Sequence, residues 1–128
     1  MTYSFSKTLD LPFDEAIVRV TEELKKEGFG VLTEIDVKAK LKKKLDVDLS
    51  NYHILGACNP PFAYKALQAE PQIGLMLPCN VIVQEGENGR TIVSAIDPQA
   101  SMRAVESEAL SEVAGQVKVK LQKVIESV

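Results

Sequence analysis

The sequence predicts a single α+β domain in which a mainly antiparallel sheet of about five strands is backed by two long helices. Three observations support this prediction. The 128 residues, 45% of them apolar, are enough for one domain with one core. Residues 2–9 and 90–96 alternate with the two-residue period of a strand, while residues 13–24 and 110–125 carry apolar side chains at helical spacing. We expect the order β-α-β-α-β-α-β-β-α, a sheet of mixed strand direction, and one domain over residues 1–128.

The N-terminal half reads as strand, helix, strand and helix. Leu11-Pro12 ends the first strand, and the first long helix then has an apolar stripe made by Phe13, Ile17, Val20 and Leu24. Gly28 is placed to end that helix in a left-handed conformation. A strand from Gly30 to Ile35 follows, and Asp36 is placed to cap a short second helix.

The second helix is strongly basic, which is a pattern easily taken for a phosphate-binding patch. Its lysines are Lys38, Lys40, Lys42, Lys43 and Lys44. No aromatic side chain is interleaved, and Asp46 and Asp48 follow, so we interpret the run as a solvated helix face. A net charge of −3 also argues against nucleic-acid and membrane-surface partners. With no leader and no apolar run of ~20 residues, we expect a soluble cytoplasmic chain with reduced cysteines.

The middle of the chain holds both cysteines, each followed by an asparagine. A third strand from Tyr52 ends at Cys58-Asn59, where Asn59 can cap a helix that opens with Pro60-Pro61. A fourth strand begins at Cys79-Asn80. After the turn signal of residues 86–89, a fifth strand forms a hairpin with the fourth.

Both faces of this hairpin are apolar, so both sides of the sheet require a cover. The first and last helices cover one face. The last helix, predicted over residues 107–127, has a stripe made by Leu110, Val113, Ala114, Val117, Leu121, Val124 and Ile125. Only short helices remain for the second face, and we therefore expect a homodimer in which a second copy covers it.

If the third and fourth strands are antiparallel, five polar or thiol side chains meet at one end of the sheet: Cys58, Asn59, Cys79, Asn80 and Asp97. The two cysteines would then be close but not bonded. The loop after Asp97, which includes Met102, would lie over this end. Parallel strands would instead separate the cysteines by roughly 15 Å. We take these five residues as the candidate ligand-binding set, with Cys58 as the candidate catalytic residue.

Several interpretations of this set remain open. Each of these residues also has a purely structural interpretation. Cys58 and Cys79 suit small buried positions, and Asn59 suits the cap of a helix. Asn80 could stabilise a loop, and Asp97 could begin a turn. A pocket with polar groups would bind a small molecule. A thiol-dependent enzyme or redox protein would use Cys58 and Cys79, although the only histidine, His53, lies roughly 16 Å along the strand from Cys58. A soft-metal site would have to be shared across a dimer. No motif for a cofactor or a metal occurs, and we predict neither.

Several segments resemble the domain-of-unknown-function 302 family, and the resemblance spans nearly the whole chain. The most specific of them are Gly56-Ala57-Cys58-Asn59-Pro60-Pro61 and Pro78-Cys79-Asn80. The resemblance implies a small α+β domain with a sheet backed by helices, like the TATA-binding-protein fold, and a dimer. It implies no particular activity.

Overall fold

The computed structural model describes residues 2–128. The strands are β1 (Ser4–Leu9), β2 (Gly30–Asp36), β3 (Tyr52–Cys58), β4 (Cys79–Glu85) and β5 (Thr91–Ile96). The helices are α1 (Phe13–Lys26), α2 (Val37–Leu45), α3 (Pro60–Ala69), α4 (Pro98–Ser101) and α5 (Glu108–Ser127). Short 3₁₀ segments cover Pro71–Met76 and Glu87–Gly89. The predicted order of elements is confirmed, with α4 and the 3₁₀ segments added.

The five strands form one sheet in the order β1-β5-β4-β3-β2. Each neighbouring pair is antiparallel, so the expected antiparallel character is confirmed, and the described strands include no parallel pair. The edge strands are β1 and β2. A bulge between Val31 and Thr33 shifts the register of β2 against β3, and Leu32 is the extra residue.

Local sequence explains where the helices begin and end. Gly28 has a φ of +87°, a left-handed conformation that costs glycine little, and the chain turns there after α1. The backbone N–H of Ala39 donates to Asp36 Oδ1 at 2.9 Å, as expected for the cap of α2. At the start of α5, the N–H of Leu110 donates to Ser107 Oγ at 3.3 Å. The cap residues predicted at Gly28 and Asp36 are therefore correct.

The core lies between α1, α5 and one face of the sheet. Side chains of β3, β4 and β5 that point toward the helices are almost fully buried: Leu55, Val81, Val83 and Val93. They pack in the same cluster as Val20 and Leu24 of α1. All the residues of the predicted α5 stripe are buried as well. Strand alternation toward this single helical layer produces the core.

The opposite face of the sheet has a row of isoleucines. Ile35, Ile54 and Ile82 are paired across β2, β3 and β4, and Ile35 is 42% exposed. Ile54 and Ile82 are half-buried. The row continues into the polar pair Ser94 and Ser6, whose hydroxyls are 2.7 Å apart. This face is therefore apolar at its centre and partly open.

The basic helix α2 has no buried residue, in keeping with a solvated face. Lys42 forms ion pairs with Asp46 at 2.9 Å and Asp48 at 3.3 Å. Exposed pairs of this kind contribute little to stability. Within residues 2–128, none of the helices combines the length and apolar character needed to cross a membrane.

Candidate functional site

Strand register brings the predicted site residues to one end of the sheet. Ala57 and Gly56 of β3 are the partners of Cys79 and Asn80 of β4. Val81 is the partner of Ala95, and continuing this antiparallel register by two residues puts Asp97 opposite Cys79. The antiparallel prediction on which this convergence depended is correct.

The two cysteines are neighbours at the ends of adjacent strands, and neither is in a disulfide. Cys79 is 8% exposed, while Cys58 is half-buried. Burial, followed in size by the nearby charge of Cys58, raises the pKa of the Cys79 thiol from 9.0 to about 11. Cys79 is therefore a neutral thiol at physiological pH and a poor nucleophile.

Asn59 occupies the position before α3, but its side chain forms no capping hydrogen bond there, contrary to the prediction. A cap accepts from the N–H of the second or third helical residue, and Pro61, in the second position, has none. The side-chain amide instead donates to the carbonyl oxygen of Glu27 at 3.1 Å, across the structure at the end of α1. Asn59 is 7% exposed, and this hydrogen bond links the β3–α3 joint to the C-terminal end of α1.

The remaining polar candidates, Asn80 and Asp97, have roles outside the site. Asn80 is exposed, since it alternates with the buried Cys79 and Val81 along β4. Asp97 is buried and accepts a hydrogen bond from the N–H of Gln99 at 2.9 Å, which caps α4. Its other oxygen lies 3.2 Å from Lys118 Nζ on α5. Asp97 thus fixes the start of α4 against α5.

A cavity of ≈300 Å³ lies at this end of the sheet, between α3, α5 and the two Cys-Asn joints. Its lining comes from six parts of the chain: Phe29 and Leu32; Ala57, Cys58 and Asn59; Phe62, Ala63, Ala66 and Leu67; Leu77, Pro78 and Cys79; Pro98 and Met102; and Val113, Ala114 and Val117. Asn80 and Asp97 do not line it. The cavity is therefore much less polar than the pocket expected from sequence, because Asn80 faces away and the amide of Asn59 is already hydrogen-bonded.

Two exposed leucines lie at the cavity wall. Leu32, the bulged residue of β2, is 67% exposed, and Leu67 of α3 is 43% exposed. Exposed apolar side chains beside an apolar cavity are typical of a binding-site entrance. Sequence analysis did not identify these leucines or Phe62. The only available signal was the apolar side of α3, where Phe62, Ala63, Ala66 and Leu67 recur with helical spacing.

Gly56 lets the two joints approach each other closely. A Cβ atom at this position would overlap Thr33 Oγ1 and would lie 2.7 Å from Cγ of Pro78. Pro78 follows Leu77 through a cis peptide bond. Only glycine leaves room for the Pro78 ring and the Thr33 hydroxyl on this strand.

His53 lies at the opposite end of β3 and does not take part in the site. Its Nδ1 is 3.1 Å from Glu34 Oε1, its Nε2 is 3.5 Å from Asp36 Oδ2, and its ring packs edge-on against Phe13 with centroids 5.1 Å apart. The expectation that no Cys-His pair forms agrees with this placement. In the part of the chain described, no group of three or more His, Cys, Asp or Glu side chains could hold a metal ion.

Comparisons with known proteins agree with the fold. The family model described as "Domain of unknown function DUF302" matches residues 5–128. A solved structure, the crystal structure of uncharacterized conserved protein DUF302 from Bacillus stearothermophilus, is similar with a TM-score of 0.91 and 30% sequence identity. The match covers 99% of this chain and 98% of that one. No curated protein matches the chain. The chain is a member of the DUF302 family.

Proposed function

We propose that the protein binds a compact, mainly apolar small molecule in the cavity beside Cys58 and Cys79. The observation that supports this proposal is the lining of the cavity, which is almost entirely hydrocarbon and thiol. Apolar surface that leaves water on binding contributes ~25 cal/mol per Å². Such a lining favours an apolar ligand over a charged one, since a charge placed here would lose its hydration.

The size of the cavity limits the size of the ligand. At ≈300 Å³ it is at the lower end of the ~300–1,000 Å³ range of ligand pockets and about twice the ~150 Å³ cavity that holds one benzene. One or two rings or a short branched chain would fit. Of the predicted ligand-binding residues, Cys58, Asn59 and Cys79 line the cavity, and they are the groups we assign to ligand contact. Asn80 and Asp97 act outside it.

A titration with indole, toluene and hexanol, followed by ¹H–¹⁵N NMR, tests this proposal. We expect saturable shifts at the amides of Ala57, Cys79 and Val113. Ala66→Leu would add side-chain volume to the cavity wall and weaken binding at least tenfold. Ala39→Leu on the exposed helix α2 is the matched control and should bind as the wild type does. Non-saturable shifts, or equal affinity in Ala66→Leu, would reject the proposal.

A thiol-dependent reaction receives less support from the geometry. Cys79 is neutral, His53 is at the far end of β3, and Pro60 and Pro61 remove two amide donors from the start of α3, beside Cys58. Cys58 is consequently the only candidate nucleophile of the two cysteines. Iodoacetamide labelling at pH 6.5, compared with a free model thiol, tests it, and labelling no faster than the model thiol argues for a binding role.

We also infer that the protein is a homodimer assembled through the open face of the sheet. The paired row of Ile35, Ile54 and Ile82 provides an apolar centre, and the polar Ser6–Ser94 pair lies beside it. A contiguous apolar centre with polar surroundings is characteristic of protein interfaces. A second copy is the simplest partner because a twofold interface requires only one self-complementary surface.

Sedimentation at micromolar concentration tests this second proposal. Ile82→Lys should convert a dimer to a monomer, because it places a charge in the apolar row. Val119→Lys is the matched control, since Val119 is 64% exposed on α5, away from this face. A wild-type chain that sediments as a single 14.0 kDa species would refute the dimer.

A further inference from the structure

Both kinds of sulfur side chain that bind metal ions in proteins, the cysteine thiol and the methionine thioether, line the cavity. Cys58 comes from the end of β3, Cys79 from the start of β4, and Met102 from the turn that follows α4. Met102 is 7% exposed, so its side chain belongs to the interior. Apart from these three, only Asn59 brings a polar side chain to the lining. We propose that Cys58, Cys79 and Met102 bind one soft monovalent metal ion of the Cu(I) and Ag(I) class within a single chain.

Strand register brings the backbones of the two cysteines close together, and both side chains line the same cavity. Cys79 is the Cα partner of Ala57, which is the residue next to Cys58, and neighbouring strands are ~4.8 Å apart. Both cysteines are free of disulfide.

The donor set selects the class of metal. Thiolates and thioethers are soft ligands that prefer Cu(I), while Mg²⁺ and Ca²⁺ require several oxygens. Zinc needs four nitrogen, sulfur or oxygen ligands, and the nearest candidates are already engaged. Asp97 is held by Lys118 and the cap of α4, and His53 contacts Glu34 and Asp36 at the other end of the sheet. Two thiolates and one thioether suit an ion that accepts low coordination.

Binding exchanges protons for the metal without oxidation. Each thiol loses one proton to the buffer as its sulfur forms a bond to the ion, and the neutral Met102 thioether adds a third bond. The bound site, with two thiolates and one monovalent cation, has a net charge of −1. Because two protons are released for each ion bound, the apparent affinity should rise with pH.

Silver is the practical probe because it does not change oxidation state. We expect native mass spectrometry of the full chain to show one Ag(I) per chain, and competition with a soluble thiol to give its affinity. Cys58→Ser should lower that affinity at least 100-fold, and Met102→Leu about tenfold. Met76→Leu is the matched control, because Met76 is partly buried against the core but does not line the cavity.

Three results would overturn the proposal: two independently bound ions per chain, an unchanged affinity in Cys58→Ser, or the same affinity in Met102→Leu and Met76→Leu. Circular dichroism must show that each variant is folded. The proposal is separable from apolar-ligand binding. Ala66→Leu should lose the indole shifts and keep silver.

Discussion

Replacing Gly56 by alanine should destabilise the protein more than any other single methyl addition to its strands. The new Cβ would overlap Thr33 Oγ1 on β2 and would stand 2.7 Å from Cγ of Pro78. Neither neighbour can withdraw easily, since one side chain is β-branched and the other is a ring. The strain therefore falls on the backbone of the β3 and β4 ends.

The expected cost follows from two opposing effects. Overpacking in a close-packed region costs ~1–3 kcal/mol, and overlap on two sides places Gly56→Ala near ~3 kcal/mol. Alanine also restricts the unfolded chain, which offsets this by ~0.5–1 kcal/mol. A net loss of ~2 kcal/mol corresponds to a melting temperature ~6–10 °C lower in a domain of this size.

Urea denaturation followed by circular dichroism measures this loss, since the chain has no tryptophan for fluorescence. Gly30→Ala on β2 is the control. A Cβ there has no heavy atom within 4 Å, so that variant should be as stable as the wild type or slightly more stable. Adding Thr33→Ala to Gly56→Ala should recover part of the loss. If Gly56→Ala and Gly30→Ala unfold at the same urea concentration, the close-approach explanation is wrong.

Three further predictions concern the same end of the sheet. Asn59→Ala should lower the free energy of unfolding by ~1–3 kcal/mol in urea, because the partly buried carbonyl of Glu27 loses the donor that the buried Asn59 supplies; a loss below ~0.5 kcal/mol would contradict this role. The raised pKa of Cys79 means that the folded chain holds this proton more tightly than the unfolded chain, so the stabilisation is complete below pH 9 and is lost between pH 9 and about 11. Over that pH range, the free energy of unfolding of the wild type should fall by up to ~3 kcal/mol more than that of Cys79→Ala, at ~1.4 kcal/mol per pKa unit. An equal fall in both proteins would argue against the raised pKa. Asp97→Ala should destabilise more than Asp97→Asn in thermal melts, because asparagine can still cap α4 while losing only the pair with Lys118; equal losses would show that the ion pair dominates.

The sheet and its helical layer could be predicted because their signals are local and periodic. The α5 stripe from Leu110 to Ile125 follows helical spacing, and all of its members are buried. Gly28 and Asp36 mark helix ends through their own backbone and side-chain chemistry. The antiparallel direction of β4 against β3 was predicted because antiparallel pairs predominate in sheets that contain a hairpin. That direction was sufficient to bring the two Cys-Asn joints together.

The chemical character of the site could not be predicted in the same way. Asn59 contacts Glu27, 32 residues earlier in the chain, and no local pattern indicates that contact. Asn80 was assigned to the pocket from its neighbour Cys79, although strand alternation turns successive side chains to opposite faces. Met102 and Val113 reach the cavity from distant segments, so its apolar lining is a property of tertiary packing.

The pairing of β1 with β5 has a consequence for how the chain folds during synthesis. Ser4 pairs with Ile96 and Leu9 with Thr91, so β1 is made first of the five strands of this sheet, and its partner β5 is made last of them. At ~5–20 residues per second, β1 and the apolar side of α1 wait several seconds without their cover. The β3, β4 and β5 strands are sequential neighbours and can assemble earlier, while closing the long loop to β1 carries the larger entropic cost. The nascent β1–α1 segment is therefore the part of this fold that waits longest for its partner strand.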